Sequence, residues 1–138
     1  MNLIFAVVTA SLAWFILAAI LFFNPIVDKI YTGQENEPGV RALPKSPKTI
    51  GMILIAVFTQ SILWSFVYYI VAPALPGERL FRGLVFGMIL VVTKMIPRDI
   101  DRLLLTSYPK RRMVIEFIIG SVCCICVGVV FSLLILAN

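Results

Sequence analysis

The chain reads as an all-α polytopic membrane protein, an antiparallel bundle of four transmembrane helices. Three observations predict this. First, 61% of its 138 residues are hydrophobic and only 14% are charged, with a mean hydropathy of +1.03. Soluble domains are about 45–50% apolar and about 25% charged, and a globule this small could not hide the excess inside itself. Second, four long apolar runs fill most of the chain, and none alternates as a barrel strand would. Third, the basic residues fall almost entirely between the first and second runs and between the third and fourth. A bilayer core needs about 20 apolar residues per helix, range about 17–25, and backbone groups there must be bonded within their own segment.

The first span is expected over residues 3–23, without a charge. It lacks a basic start and is too long for a typical signal-peptide core, so it reads as a retained helix. Asn24-Pro25 ends it, because proline discourages continuation. Loop one follows, rich in breakers: Gly33, Pro38, Gly39, Pro44 and Pro47. It reads as a solvated connector. The second span is expected over 49–72 and the third over 80–96, which is short and carries Arg82 and Lys94. The fourth is expected over 113–137 and carries Glu116. Loop two, Pro73 to Gly77, is brief enough to make the second and third helices antiparallel neighbours. Residues 97–106 form either a short amphipathic interfacial segment, with Ile100, Leu103 and Leu104 on one face, or a plain polar connector.

Orientation follows from charge. Lys29, Arg41, Lys45 and Lys48 lie in loop one, and Lys94, Arg98, Arg102, Lys110, Arg111 and Arg112 lie around loop three; only Arg79 and Arg82 lie near loop two. The positive-inside rule puts loops one and three in the cytoplasm and both termini outside. The net charge of +5 is then gathered on one face. Its expected partners are membrane lipids with anionic headgroups, held by Arg98, Arg102, Lys110, Arg111 and Arg112. Base-stacking aromatics on a soluble basic surface are missing, so no nucleic-acid partner is expected.

Glu116, Gly120, Cys124, Gly128 and Ser132 recur every four residues on the fourth run and stack on one helix face. Small residues let another backbone approach closely. The stripe is expected to pack within the chain, where Gly83 and Gly87 of the third helix complement it, or against a second copy in a homo-oligomer. Lys94 shares a face with those glycines, and Glu116 lies on the stripe at similar depth. Intramembrane charges are expensive and tend to pair, so Lys94 and Glu116 form a candidate buried ion pair, with Arg112 nearby. The alternative has Lys94 snorkelling to the headgroups and Glu116 meeting interfacial water. Gln60 and Ser61, mid-helix, mark a candidate polar cavity or an interhelical hydrogen bond. Ser11 and Thr9 can bond their own backbone. Tyr68 and Tyr69 read as lipid-facing belt residues, and Trp14 and Trp64 as bundle packing.

Cys123, Cys124 and Cys126 lie deep in an apolar helix and point in different directions, so they read as inert rather than metal-binding or redox-active. The chain has no histidine, which removes histidine-based triads, haem ligation and zinc chemistry. No catalytic residue, cofactor or metal site is expected.

The four-helix plan, the break Phe23-Asn24-Pro25 and the pair Gly83-x-x-x-Gly87 resemble a family of uncharacterised bacterial four-helix inner-membrane proteins, a domain of unknown function. That family has a serine where this chain has Asn24, and a tryptophan in helix three that this chain lacks. The resemblance spans the whole chain and implies a bacterial inner membrane but no activity. The membrane-associated eicosanoid and glutathione enzymes are similar in size and helix number. Their Arg-x-x-x-Asn-x-x-Glu signature is missing, because Thr49 to Ala72 contains no Arg, Asn or Glu. Three functions fit. The first is a structural, accessory or self-associating membrane protein, and the absence of catalytic constellations favours it. The second is a homo-oligomeric transporter or channel with a polar path near Gln60, Lys94 and Glu116. The third is a lipid-binding or lipid-modifying protein using its basic cytoplasmic loops.

Overall fold

The computed structural model describes residues 3–40, 44 and 46–135. Arg41 and Lys45, counted in loop one, and the expected end of the fourth helix at Ala137 lie outside the described residues. Every regular element among the described residues is helical. They are α1 (Leu3–Phe22), α2 (Pro25–Gly33), α3 (Pro47–Val71), α4 (Arg79–Leu90), α5 (Ile96–Leu105) and α6 (Lys110–Leu134), with a single 3₁₀ turn over Ala72–Ala74 and a π turn over Val91–Met95. Four helical stretches are long and apolar enough to cross a membrane: Leu3–Phe22, Pro47–Ala74, Arg79–Leu105 and Lys110–Leu134.

Local chemistry sets these boundaries. Asn24 does more than stop α1. Its Oδ1 accepts from the Ile26 amide at 2.9 Å, and Pro25 takes a first-turn place where its missing N–H costs nothing. The breaker pair thus starts α2, and the nine residues Pro25–Gly33 are helix rather than connector. Ser46 caps α3 in the same way, accepting from the Thr49 amide at 3.3 Å ahead of Pro47. At the other end, Gly77 takes a left-handed φ of +83°, where a Cβ would come within 2.6 Å of the Phe81 ring.

The third span is longer than the sequence suggested. α4, the π turn and α5 run on without a break, over 27 residues. Proline in a helix interior clashes with the carbonyl four residues back. Pro97 sits just beyond the π turn, whose wider ring lets the Ile96 amide reach the Val91 carbonyl and relieves that crowding. α5 is a regular helix, so residues 97–106 are not a plain connector.

α6 is the hub. α4 and α1 both pack closely on it, and α3 packs on α1. The small-residue stripe is consumed inside the chain. Gly83 lies on Gly128 and Val129, Gly87 on Cys124 and Ile125, and Gly120 under the Met95 side chain. A Cβ on Gly87 would stand 2.6 Å from the Ile125 Cα, so only glycine permits this approach. Ser132 completes the stripe against Gly83 and bonds the Val129 carbonyl of its own helix. α3 and α4, although joined by a short connection, do not pack backbone to backbone. Both glycines face α6, and bulky rings stand between α3 and α4. Tyr68 meets the Phe86 ring edge-on at 5.0 Å and lies 6.1 Å from Phe131. Tyr68 is therefore core, 2% exposed, rather than a belt residue. Tyr69 points outward at 60% exposure. Trp14 and Trp64 stack with centroids 4.9 Å apart, joining α1 to α3. Ser11 bonds the Val7 carbonyl of its own helix.

Candidate functional site

The polar side chains gather where α2, α5 and the start of α6 meet. Glu116 is the centre. Its Oε1 accepts from the Tyr31 hydroxyl at 3.0 Å and from the Tyr108 hydroxyl, and its Oε2 accepts from Arg102 Nη1. α2 supplies Tyr31, α5 supplies Arg102, and the connection before α6 supplies Tyr108. The Arg102 guanidinium also lies 4.7 Å from the Tyr108 ring centroid. Arg112, one turn before Glu116, donates to the Tyr31 carbonyl and stacks 4.3 Å over the Tyr31 ring. Phe22 closes the Tyr31 ring edge-on at 5.8 Å. Burial and the adjacent carboxylate push the Tyr31 phenol well above its ordinary range. Burial, then the hydrogen bond to Glu116, push Tyr108 up to about 12. Both phenols therefore stay protonated and keep donating.

Lys94 has a separate environment. Its Nζ donates to Gln60 Oε1 at 2.6 Å and lies 4.4 and 4.2 Å from the ring centroids of Trp14 and Trp64. That is a cation held by an amide and two indoles. The expected Lys94–Glu116 ion pair does not form: Lys94 bonds across to α3, and Glu116 bonds to α2, Arg102 and Tyr108. The π turn explains this. It inserts one residue into the helical register, so Met95 rather than Lys94 takes the α6-facing place against Gly120. Lys94 is rotated towards α1 and α3.

The two charges nevertheless border one cleft of about 150 Å³, lined among others by Trp14, Phe22, Lys94, Arg98, Glu116 and Cys123. Gln60 and Ser61 do not border it. Gln60 is half-buried in its bond to Lys94, and Ser61 is fully buried with no partner for its hydroxyl. The expected polar cavity around those two residues is thus replaced by one interhelical bond. A second, shallow depression of about 440 Å³ is lined by Ile30, Val114 and Ile115 with Lys110 and Arg111.

The five residues expected to meet headgroups divide. Lys110 and Arg111 are exposed. Arg98 pairs with Asp99 at 2.8 Å and Arg102 with Glu116. Arg112 is only 6% exposed, so it is an internal brace and not a headgroup contact. Tyr31 and Tyr108 escaped sequence reasoning altogether. The signal for Tyr31 was present in the Asn24-Pro25 start of α2, which places it on a helix rather than in a connector.

Both oxygens of Glu116 accept hydrogen bonds, one of them from a cation, which makes it a fixed organising carboxylate. Cys123 and Cys124 are buried thiols in α6, and Cys126 is partly buried. Among the described residues no group of three histidine, cysteine or acidic side chains is placed to hold a metal. Comparison of the chain with family models, with curated proteins and with solved structures gives no match.

Proposed function

We propose that the protein is a multi-pass integral membrane protein that holds anionic lipid at its cytoplasmic face without catalysing a reaction. In this reading it is an antiparallel four-helix bundle in a bacterial inner membrane, with both termini outside. The carrying observation is an inverted distribution of polarity. Charged side chains turn inward at one end, while Ile100, Leu103, Leu104 and Leu105 of α5 turn outward at 50–79% exposure. Such a helix suits an apolar outer solvent at its own depth. The order of contacts between α4 and α6 supports antiparallel packing, since Gly83 meets residues 128–129 and Gly87 meets 124–125. The meeting of α2 with α6 supports loops one and three sharing a side, as the positive-inside rule requires.

The lipid reading rests on the shallow depression. Its floor is apolar and suits acyl chain, and its rim carries Lys110 and Arg111, exposed and free to meet a phosphate. Self-association through the glycine stripe is disfavoured, because α4 already occupies it. In native mass spectrometry from nanodiscs containing phosphatidylglycerol and phosphatidylcholine, the protein should retain the anionic lipid preferentially. The double variant Lys110→Gln/Arg111→Gln should lose that preference about thirtyfold, at about 1 kcal/mol per basic residue. Equal retention of both lipids by the unaltered protein would refute the reading.

A further inference from the structure

We propose that the 150 Å³ cleft between α1, the π turn and α6 is a binding site for a phosphoryl group, with Lys94 and Arg98 as its ligands. The proposal is independent of the outer depression, with which the cleft shares no lining residue.

Lys94 and Arg98 stand one helical turn apart on the same wall, where like charges repel unless an anion lies between them. The bonded partner of Lys94 is the neutral amide of Gln60. That bond uses one of three ammonium protons. Arg98 gives its Nε to Asp99, but its Nη2 is screened from solvent and meets no acceptor. The acid on the cleft, Glu116, already accepts from Arg102, Tyr31 and Tyr108. Behind it Arg112 donates to the neutral carbonyl of Tyr31 and stacks on its ring. Among the described residues Lys94 thus bonds no carboxylate, and Arg98 keeps one guanidinium nitrogen without an acceptor beside its Asp99 partner, so the cleft has donors to spare in a setting where an uncompensated cation is costly.

Shape and chemistry narrow the ligand. A space of this size takes a benzene-sized guest, which also suits one phosphoryl group. A tetrahedral oxyanion can accept from an ammonium and from a guanidinium edge at once, and its charge answers both cations. The walls supplied by Trp14, Phe22 and Met95 are apolar, and they strengthen each charge-assisted bond by excluding water. The same chemistry is offered by the headgroup of a lipid and by free phosphate.

The chain reports on its own site, because its only two tryptophans are the two that flank Lys94. The delipidated full-length protein in neutral detergent is titrated with inorganic phosphate, against chloride at matched ionic strength. In a parallel series it is titrated with phosphatidic acid, against diacylglycerol. A saturable change in tryptophan emission is expected. A response to phosphate alone identifies a free anion, a response to phosphatidic acid alone identifies a headgroup, and a response to both identifies the shared group. Arg98→Gln, which leaves both indoles untouched, should weaken binding at least about tenfold. Arg98→Lys, which keeps the charge and guards against misfolding, should stay within about threefold, and Lys48→Gln should change nothing. The proposal is overturned if neither series saturates. It is overturned equally if diacylglycerol matches phosphatidic acid, or if Arg98→Gln binds as tightly as the unaltered protein.

Discussion

Glu116 joins three segments of chain that otherwise have little in common. Its carboxylate takes hydrogen bonds from α2, from α5 and from the connection before α6. Removing its charge takes from Arg102 the carboxylate it bonds. Glu116→Gln should therefore destabilise the protein by about 3 kcal/mol, the lower end for a broken buried pair, because the Arg102 side chain is 30% exposed. Unfolding in mixed micelles by a denaturing detergent measures this. Burial first, and then this carboxylate, raise the Tyr108 pKa. A phenol held near 12 against an ordinary 10 is stabilised in its neutral form in the folded state. Its contribution is complete below about pH 10 and is lost as pH rises through about 12. In Glu116→Gln the Tyr108 ionisation, followed by phenolate absorbance, should move back towards 10. At this scale sequence reasoning identified the inward charges but not their partners. Lys94 and Glu116 stood out because ions are rare in apolar runs. Their partners depended on a one-residue change of register that hydropathy does not display.

The helices themselves divide into legible and illegible parts. α1, α3 and α6 were visible as uninterrupted apolar runs, and the α4–α6 contact was visible as two glycine-spaced patterns. α2 was not, because its polar residues and flanking breakers resemble a loop. The splaying of α3 from α4 was not, because a short connection ordinarily means close neighbours. Here the two glycines of α4 are turned towards α6, and Tyr68 and Phe86 fill the gap. Glycine substitutions test this assignment at the element scale. Gly87→Ala places a methyl against the Ile125 backbone and should cost about 2 kcal/mol by forcing α4 from α6. Gly51→Ala in α3 meets nothing within 4 Å and should stabilise by about 0.5–1 kcal/mol through helix propensity alone. Paired thermal unfolding measurements distinguish the two. Comparable effects at both positions would argue against glycine-mediated packing of α4 on α6.

At the scale of the whole molecule the pattern is inside-out relative to a soluble protein. Isoleucines at positions 4, 20, 55 and 70 are 65–74% exposed, while Arg112, Ser61 and Ser65 are buried. Such an arrangement suits an outer solvent of hydrocarbon, the setting proposed for this chain. In the orientation we propose from the charge asymmetry, the Glu116 cluster lies at the cytoplasmic end and the turn at Gly77 outside. Single-cysteine labelling in intact bacterial cells, in a background where Cys123, Cys124 and Cys126 are replaced by alanine, tests this threading. Glu78→Cys should react with a membrane-impermeant maleimide added outside. Thr32→Cys and Ser107→Cys should react only after the membrane is permeabilised. Labelling of Thr32→Cys and Ser107→Cys from outside, with Glu78→Cys protected, would invert the molecule and contradict the account. Equal labelling of all three in intact cells would contradict a four-span threading altogether.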